Sequence, residues 1–232
     1  MRRFSLVEVQ QTFYQPPRLA TLKRWRDEAP RGFEFTLKAW QLITHEPSSP
    51  TYRRLRHPPP ARALARCGAF EPTEEVANAW RVTREAAAAL AATAVVFQCP
   101  ASFAPTARNL SHLRRFFRRL ADEGNPFRLC REPRGAWPRA TVIALCRELG
   151  LQLVVDPFAA DPPGGDYRYF RLHGVTGYRH RYADSELRRL RALCRGTTYC
   201  LFNNMSMAED AARFLALIHG KQDVRGESRA DL

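Results

Sequence analysis

Short segments with alternating apolar and polar residues recur along this chain, and longer segments with helical periodicity separate them. The first two short segments, Leu6–Gln10 and Phe33–Lys38, alternate with period two, which predicts β-strands. The same character predicts five more strands, at Ala94–Gln98, Phe127–Arg131, Gln152–Val155, Tyr167–His173 and Tyr199–Phe202. A loop is expected after the first strand, over Thr12–Pro17, because it is aromatic and contains two prolines.

Apolar stripes predict helices between the strands. Thr73 is expected to be the N-cap of a long helix with Glu74 and Glu75 in its first turn, where the helix dipole favours anions. A second stripe, Leu110–Leu120, has a basic opposite face that we interpret as the solvated side of the helix rather than as a phosphate site. Further helices are predicted near Leu19–Trp25, Pro138–Leu149, Ser185–Cys194 and Ser206–Leu217. Ser206 and Glu209 are expected to form a capping box.

Strands that alternate with helices in this way favour an α/β fold built from parallel β/α units. Seven strands are one short of an eight-stranded barrel, although a doubly wound sheet would accommodate them. With 232 residues and 45% hydrophobic content, the chain can form one large domain. We expect a single domain over residues 1–219 and a polar, flexible tail over residues 220–232.

A polar residue lies at or just after the carboxyl end of every predicted strand. In chain order these residues are Gln10, Lys38, Gln98, Glu132 with Arg134, Asp156, His173 and Asn203. Ligand sites of parallel β/α folds form where the carboxyl ends of the strands meet. By strand parity, Glu8 and Arg171 face the same side as these residues. The alternative is a polar core whose members satisfy one another and only fix the fold.

Glycines and basic residues in the last two strand-to-helix loops favour a phosphorylated small molecule or nucleic acid as the ligand. The predicted ligand-binding residues are Gln10, Tyr14, Gln98, Arg134, Arg171, Gly174, Arg179, Asn203 and Asn204. The segment His45–Arg66 is proline-rich and carries Arg53, Arg54 and Arg56, so it is either a functional excursion that widens a basic rim or a solvated loop.

An enzymatic alternative uses the same predicted pocket. In that hypothesis, Glu8, Glu132 or Asp156 is the general base, and His45 or His173 is an acid or base. Lys38 and Arg171 would stabilise charge in a hydrolase or isomerase acting on a phosphorylated or sugar substrate. The sequence has no H-x-H or H-E-x-x-H spacing of metal ligands, so we assign no cofactor. A metal-dependent reaction is kept as an alternative.

Charge and cysteine content exclude few of these functional possibilities. The net charge of +14 favours anionic partners, but 34 of the 37 basic residues are arginine in an alanine- and proline-rich chain, as a GC-rich genome would impose. Six cysteines without a C-x-x-C pair are expected to be buried, reduced and inert.

The sequence contains no run of about 18 apolar residues and no signal-peptide pattern. We therefore expect a cytoplasmic protein without a membrane partner, whose oligomeric state the sequence does not indicate.

Several of these segments, taken in order, resemble the motifs of the YecE-like domain-of-unknown-function family. They are Val7–Tyr14, Phe35–Lys38 leading to Ile43–His45, Phe97–Pro100, Arg171–Gly174 and Phe202–Asn204. The resemblance implies a TIM-barrel-like (β/α) fold and supplies no reaction. It also implies that this chain starts one strand late, which accounts for the missing eighth strand. Two departures are Gln10, where many relatives have asparagine, and a shifted Glu-to-Trp segment at Arg131–Trp137.

Overall fold

The structure is a computed structural model that describes residues 3–220. Its strands are β1 Leu6–Val9, β2 Glu34–Lys38, β3 Ala94–Gln98, β4 Arg128–Glu132, β5 Gln152–Val155, β6 Tyr167–Leu172 and β7 Thr197–Phe202. All neighbouring strands pair in parallel, and their order in the sheet is the order of the sequence. Helices connect these sequential parallel strands except between β5 and β6, where residues 156–166 contain no helix. Sequential parallel strands connected mainly by helices are the arrangement of a TIM-barrel-like (β/α) fold, so the predicted fold class is confirmed. The predicted tail lies, apart from Gly220, outside the described residues.

The long helices occur where the apolar stripes predict them. They are α2 Leu19–Glu28, α5 Glu74–Leu90, α6 Ala107–Glu123, α7 Arg139–Glu148, α8 Asp184–Leu193 and α9 Met207–His219. The N-cap of α5 is Thr73, as predicted, since its side chain accepts a hydrogen bond from the Val76 N–H. No helix within residues 3–220 is long and apolar enough to cross a membrane.

Three four-residue helices and one 3-10 helix were not expected from the sequence. They are α1 Gln11–Tyr14, α3 Gln41–Thr44, α4 Ala61–Leu64 and the 3-10 helix Pro50–Arg54. A single helical turn shows no apolar period, so periodicity cannot detect it. For this reason, the prediction of a loop over Thr12–Pro17 was wrong for its first three residues, which belong to α1. The predicted capping box was also wrong, because the Ser206 side chain makes no cap hydrogen bond and Glu209 pairs with Arg181.

The chain forms two compact units, the first ending at Leu153 and the second beginning at Val154, within β5. In the first unit, strand register places Glu8 beside Thr36 and Gln98 beside Glu132. Adjacent residues in a parallel ladder point to the same face, so these polar side chains share one face of the sheet. The aromatic core of this unit includes Phe70, Trp80, Phe97, Phe116 and Phe117.

The second unit contains the end of β5, strands β6 and β7, and helices α8 and α9. Its buried core consists of Phe170, Leu172, Tyr182, Leu187, Leu190 and Phe214. Val155 pairs with Phe170 and Leu172 pairs with Phe202, so the apolar residues of neighbouring strands align. This alignment leaves the alternate positions of β6, including Arg171, for the opposite face.

Candidate functional site

The carboxyl ends of β1 and β2 are fastened by a threonine of α1. The hydroxyl group of Thr12 lies 2.9 Å from the Val9 carbonyl oxygen and 2.8 Å from that of Lys38. It thereby bridges the last residues of the two strands. Just before it, the Gln10 side-chain amide donates a hydrogen bond to the Glu8 carboxylate. Glu8 is buried, and the side chain of Gln10 is the partly exposed end of this pair.

Lys38, the last residue of β2, connects Gln98 of β3 to the same group of polar side chains. Its Nζ donates to Oε1 of Gln98 at 2.9 Å and lies 4.0 Å from the centre of the Phe13 ring. Lys38 is 4% exposed, so its ammonium group has lost most of its water. The aromatic face and the amide oxygen replace part of that hydration. Thus the ends of the first three strands each contribute a polar side chain to a largely buried cluster.

Glu132 and Arg134 complete this set in the first unit. Glu132 is the last residue of β4, rather than the residue after it, and Nη2 of Arg134 lies 2.8 Å from its carboxylate. Glu132 is buried, whereas the Arg134 side chain is 37% exposed. We call Glu8, Gln10, Lys38, Gln98, Glu132 and Arg134 the first-unit polar cluster. Glu8 also helps to raise the pKa of the Cys130 thiol, secondary to burial, which agrees with Glu8 and Cys130 lying on the same face.

His45 is held beside this cluster in its neutral form. It follows α3 and is 4% exposed, with Nδ1 2.7 Å from the Thr44 hydroxyl and its ring 4.9 Å from the Phe13 ring. Burial, and secondly the charge of Lys38, lower the pKa of His45 to about 4. At neutral pH it is therefore an imidazole that cannot deliver a proton as imidazolium.

The segment His45–Arg66 is attached to the loops at the ends of β1 and β2. The Tyr52 hydroxyl donates to the His45 carbonyl at 2.7 Å, and the Arg54 guanidinium lies 3.6 Å from the centre of the Tyr14 ring. Arg53, Arg54 and Arg56 are exposed, and within residues 3–220 none has a carboxylate partner. The predicted ligand residue Tyr14 is therefore covered by an arginine that can still pair with an anion.

A second buried cation, Arg131, was not predicted from the sequence as a notable residue. It is 0% exposed and lies on the opposite face of β4 from Glu132, with its guanidinium 4.2 Å from the Trp137 ring. Its three guanidinium nitrogens have no well-formed hydrogen bond to any described residue. Its other polar neighbours are the thiols of Cys99 and Cys146; burial raises the pKa of both, and the Arg131 charge offsets part of that rise. The sequence around Arg131 does not indicate that this strand residue is buried.

In the second unit, Asp156 and His173 form a pair. The His173 backbone N–H donates to Oδ2 of Asp156 at 2.9 Å, and Nδ1 of the imidazole lies 3.6 Å from the same oxygen. Burial opposes ionisation of Asp156, but hydrogen bonds from His173 and from the Phe158 N–H outweigh it and lower the pKa of the carboxyl group. The carboxylate thus anchors the backbone of His173 and lies close to its ring. The β6 residue Arg171 is buried nearby in sequence, and His173 is partly exposed.

The glycine-rich loop after β6 is held by its own hydrogen bonds. Gly174 has φ of +89°, its N–H donates to the Tyr182 hydroxyl, and an added Cβ would lie 2.2 Å from the Gly177 carbonyl oxygen. Asn204 is fully buried, and its amide donates to the Asp210 carboxylate and to the His180 carbonyl, both at 2.7 Å. Thus both predicted ligand residues have structural roles in this loop region.

Other predicted residues of the second unit are more accessible. Arg179 is exposed, and no carboxylate within the described residues pairs with it. Asn203 is partly buried, and its N–H donates to the Leu172 carbonyl at 2.8 Å. No group of three or more His, Cys, Asp and Glu side chains is gathered for a metal within residues 3–220.

The basic face of α6 is exposed and paired with acidic residues. Arg114 and Arg118 both contact the Glu148 carboxylate, at 2.9 and 2.8 Å. Arg119 contacts Glu123 one turn along the helix, at 3.1 Å. Surface pairs of this kind contribute little stability, because water and salt screen exposed charges. This arrangement is the one expected for the solvated side of an amphipathic helix.

Comparison with known proteins assigns the family. The sequence matches the model of DUF72, described as a protein of unknown function, over residues 1–229. The chain belongs to the DUF72 family. This DUF72 chain is similar to the crystal structure of a DUF72 family protein from Thermotoga maritima, with a TM-score of 0.66 and 22% identity over 93% of this chain and 85% of that one.

A second DUF72 structure is similar as well. The DUF72 family protein from Enterococcus faecalis gives a TM-score of 0.68 at 19% identity, over 94% of this chain and 91% of that one. Identities this low show a shared fold alone. None of the curated proteins matches this DUF72 chain. The comparisons therefore indicate the fold but no reaction, and any functional proposal has to rest on the side chains of this chain.

Proposed function

We propose that this DUF72 protein binds a phosphorylated ligand at the carboxyl ends of β1–β4, in its first unit. The observation that carries the proposal is Arg54, whose exposed guanidinium is stacked on Tyr14 and has no carboxylate partner within residues 3–220. Tyr14 is the last residue of α1, the short helix that follows β1. An immobilised guanidinium without a carboxylate is prepared for bidentate pairing with phosphate, because little side-chain entropy remains to be lost.

The first-unit polar cluster supplies the remaining contacts. Arg134 is partly exposed above the buried Glu132, so it can contact a ligand while it keeps that carboxylate paired. Gln10 and Gln98 present amide groups, which suit hydroxyl or carbonyl groups of the ligand. Tyr14 is partly exposed beside Arg54, so the part of its ring that Arg54 leaves accessible offers aromatic surface for a sugar or base. We also propose that the chain belongs to the YecE-like part of the family, from its sequence motifs, and acts in the cytoplasm.

The test compares ligands that share a phosphate group and differ in size. We expect isothermal titration calorimetry to detect binding of a nucleoside monophosphate or sugar phosphate, with affinity that changes little with salt if one phosphate is recognised. A labelled single-stranded oligonucleotide would instead lose affinity steeply with salt if several phosphates are contacted. Wild-type protein that binds neither inorganic phosphate, nor these small phosphates, nor the oligonucleotide would refute the proposal.

Two exposed arginines allow a matched mutational control. Arg54→Gln removes a charge at the proposed site, and we expect about tenfold to a hundredfold weaker binding, as for the loss of one charge-assisted hydrogen bond of about 1.5–3 kcal/mol. Arg115→Gln removes the same charge from the exposed face of α6. Equal weakening by both substitutions would mean that only overall charge attracts the ligand.

The Asp156–His173 pair in the second unit supports a second candidate function, an acid–base enzyme acting on phosphorylated or sugar substrates. Asp156 lies 3.6 Å from Nδ1 of His173, and a carboxylate next to a histidine ring nitrogen is an arrangement that general bases use. His45 is a weaker candidate, because its lowered pKa leaves it neutral and weakly basic at pH 7. Incubation with pools of sugar phosphates, followed by mass spectrometry of the products, tests this function. Turnover that His173→Gln leaves unchanged would exclude the pair from it.

A further inference from the structure

Two cysteines of the second unit lie in direct contact. Sγ of Cys194, at the carboxyl end of α8, is 3.6 Å from Sγ of Cys200 in β7. Among residues 3–220, no other pair of cysteine sulfurs is within hydrogen-bonding contact. Both side chains pack against the core of the second unit, and both remain partly exposed. The prediction that all six thiols are buried is thus wrong for Cys194 and Cys200.

The surroundings of this pair favour a negative charge on Cys194. The hydrogen bond between the two sulfurs lowers the pKa of Cys194; burial opposes the effect, and the charge of Arg168 adds to it. The same hydrogen bond, with burial, raises the pKa of Cys200 well above its usual value. Arg168 donates to the Leu193 carbonyl, while its buried Nε has no partner among the described residues. A thiolate at Cys194 would give this guanidinium the counter-charge that it lacks.

We propose that Cys194 and Cys200 are a peroxide-reactive dithiol that closes to a disulfide. The Cys194 thiolate attacks one oxygen of hydrogen peroxide, the O–O bond breaks, and the departing hydroxide takes up a proton and leaves as water. Cys194 is then a sulfenic acid. The Cys200 sulfur attacks the Cys194 sulfur, the S–O bond breaks, and the Cys200 proton leaves with the hydroxide as a second water. Two thiols and one peroxide thus give one disulfide and two waters.

The geometry requires only a small movement. A disulfide bond is about 2.05 Å long, so the two sulfurs have to approach by about 1.5 Å from their 3.6 Å separation. Cys194 immediately follows α8 and precedes the exposed residues Arg195 and Gly196, so the chain there can adjust. The product would attach the carboxyl end of α8 to β7. The reaction is independent of the ligand proposed for the first unit.

The sequence offers a direct assay, because Arg195 separates the two cysteines. The whole protein is treated with hydrogen peroxide, its remaining thiols are blocked, and it is digested with trypsin without reduction. We expect peptides 192–195 and 196–213 to appear as one linked species that reduction separates. Oxidation of other cysteines with no linked species, or equal amounts of Cys194 linked to several cysteines, would overturn the proposal.

Three variants assign the roles. Cys200→Ser should leave a sulfenic acid at Cys194 that dimedone labels, whereas Cys194→Ser should leave Cys200 unlabelled. Arg168→Gln should slow formation of the linked species several-fold, because it removes a charge that favours the thiolate. Cys67→Ser is the matched control and should change nothing, since burial raises the pKa of Cys67 to about 11. Labelling of Cys200 in the Cys194→Ser variant at the wild-type rate would reverse the assignment.

Discussion

Acid should destabilise this protein through His45, which folding holds in its neutral form. Folding holds His45 neutral, with a pKa of about 4, whereas an unfolded histidine has a pKa near 6.5. Between these values the unfolded chain binds a proton that the folded chain does not. The free energy of unfolding therefore falls as pH decreases through this window, and the contribution of His45 is constant above it.

The size of the effect follows from the two pKa values. Linkage between folding and protonation gives a loss of about 2 kcal/mol between pH 7 and pH 5, and about 3 kcal/mol when the window has been crossed. His45 is 4% exposed, so solvent screening reduces these values little. His45→Asn should remove this pH dependence, because asparagine carries no titrating group and its side-chain amide can replace Nδ1 as the hydrogen-bond partner of the Thr44 hydroxyl.

Urea unfolding of the wild type and of His45→Asn, measured by circular dichroism at several pH values from 5 to 7, tests this prediction. The difference in unfolding free energy between the two proteins should change by about 2 kcal/mol over the range. His57→Asn is the control, because His57 is an exposed histidine in the same segment. A difference that is the same at every pH would refute the assignment of a lowered pKa to His45.

Three further substitutions test other parts of the structure by urea unfolding. Gly174→Ala should cost more than about 2 kcal/mol, because the added Cβ meets a backbone oxygen at 2.2 Å, whereas Gly164→Ala meets no atom within 4 Å and should cost less than about 1 kcal/mol. Arg131→Met should leave stability unchanged or raise it, since an apolar side chain replaces a buried charge without hydrogen bonds; a loss above about 2 kcal/mol would mean that the charge is needed. Asn204→Ala should cost about 2–3 kcal/mol by leaving the buried Asp210 carboxylate without its amide donor, and an unchanged midpoint would contradict this role.

The sequence predicts the sheet well because strand parity and length are local properties. β3 and β5 have the predicted bounds, and the other strands differ by one or two residues at their ends. The strand ends also explain the contact between Lys38 and Gln98, since both occupy terminal positions of neighbouring parallel strands. Four-residue helices such as α1 could not be predicted, because one turn contains no repeat.

Long-range packing explains what the sequence does not reveal about the candidate sites. The stacking of Arg54 on Tyr14 depends on how an irregular segment folds back, and no periodicity encodes that path. Cys194 and Cys200 have no motif spacing, and they meet only because the end of α8 packs beside β7. Asn204 also has a structural role that the sequence does not reveal: its side-chain amide donates a hydrogen bond to the Asp210 carboxylate.

The fastening of the His45–Arg66 segment has a consequence for how this protein can evolve. Tyr52 and Arg54 attach its first half, and the His57 N–H contacts the Gln15 side chain at 3.3 Å. Beyond that point, residues 58–60 are consecutive prolines that lead to α4. Consecutive prolines are stiff, but a flexible stretch inserted beside them would cost only about 0.6 kcal/mol for each doubling of its length. Insertions at this point should therefore lower the free energy of unfolding only slightly. Descendants of this chain can then change the residues around the proposed ligand site while the strands stay unchanged.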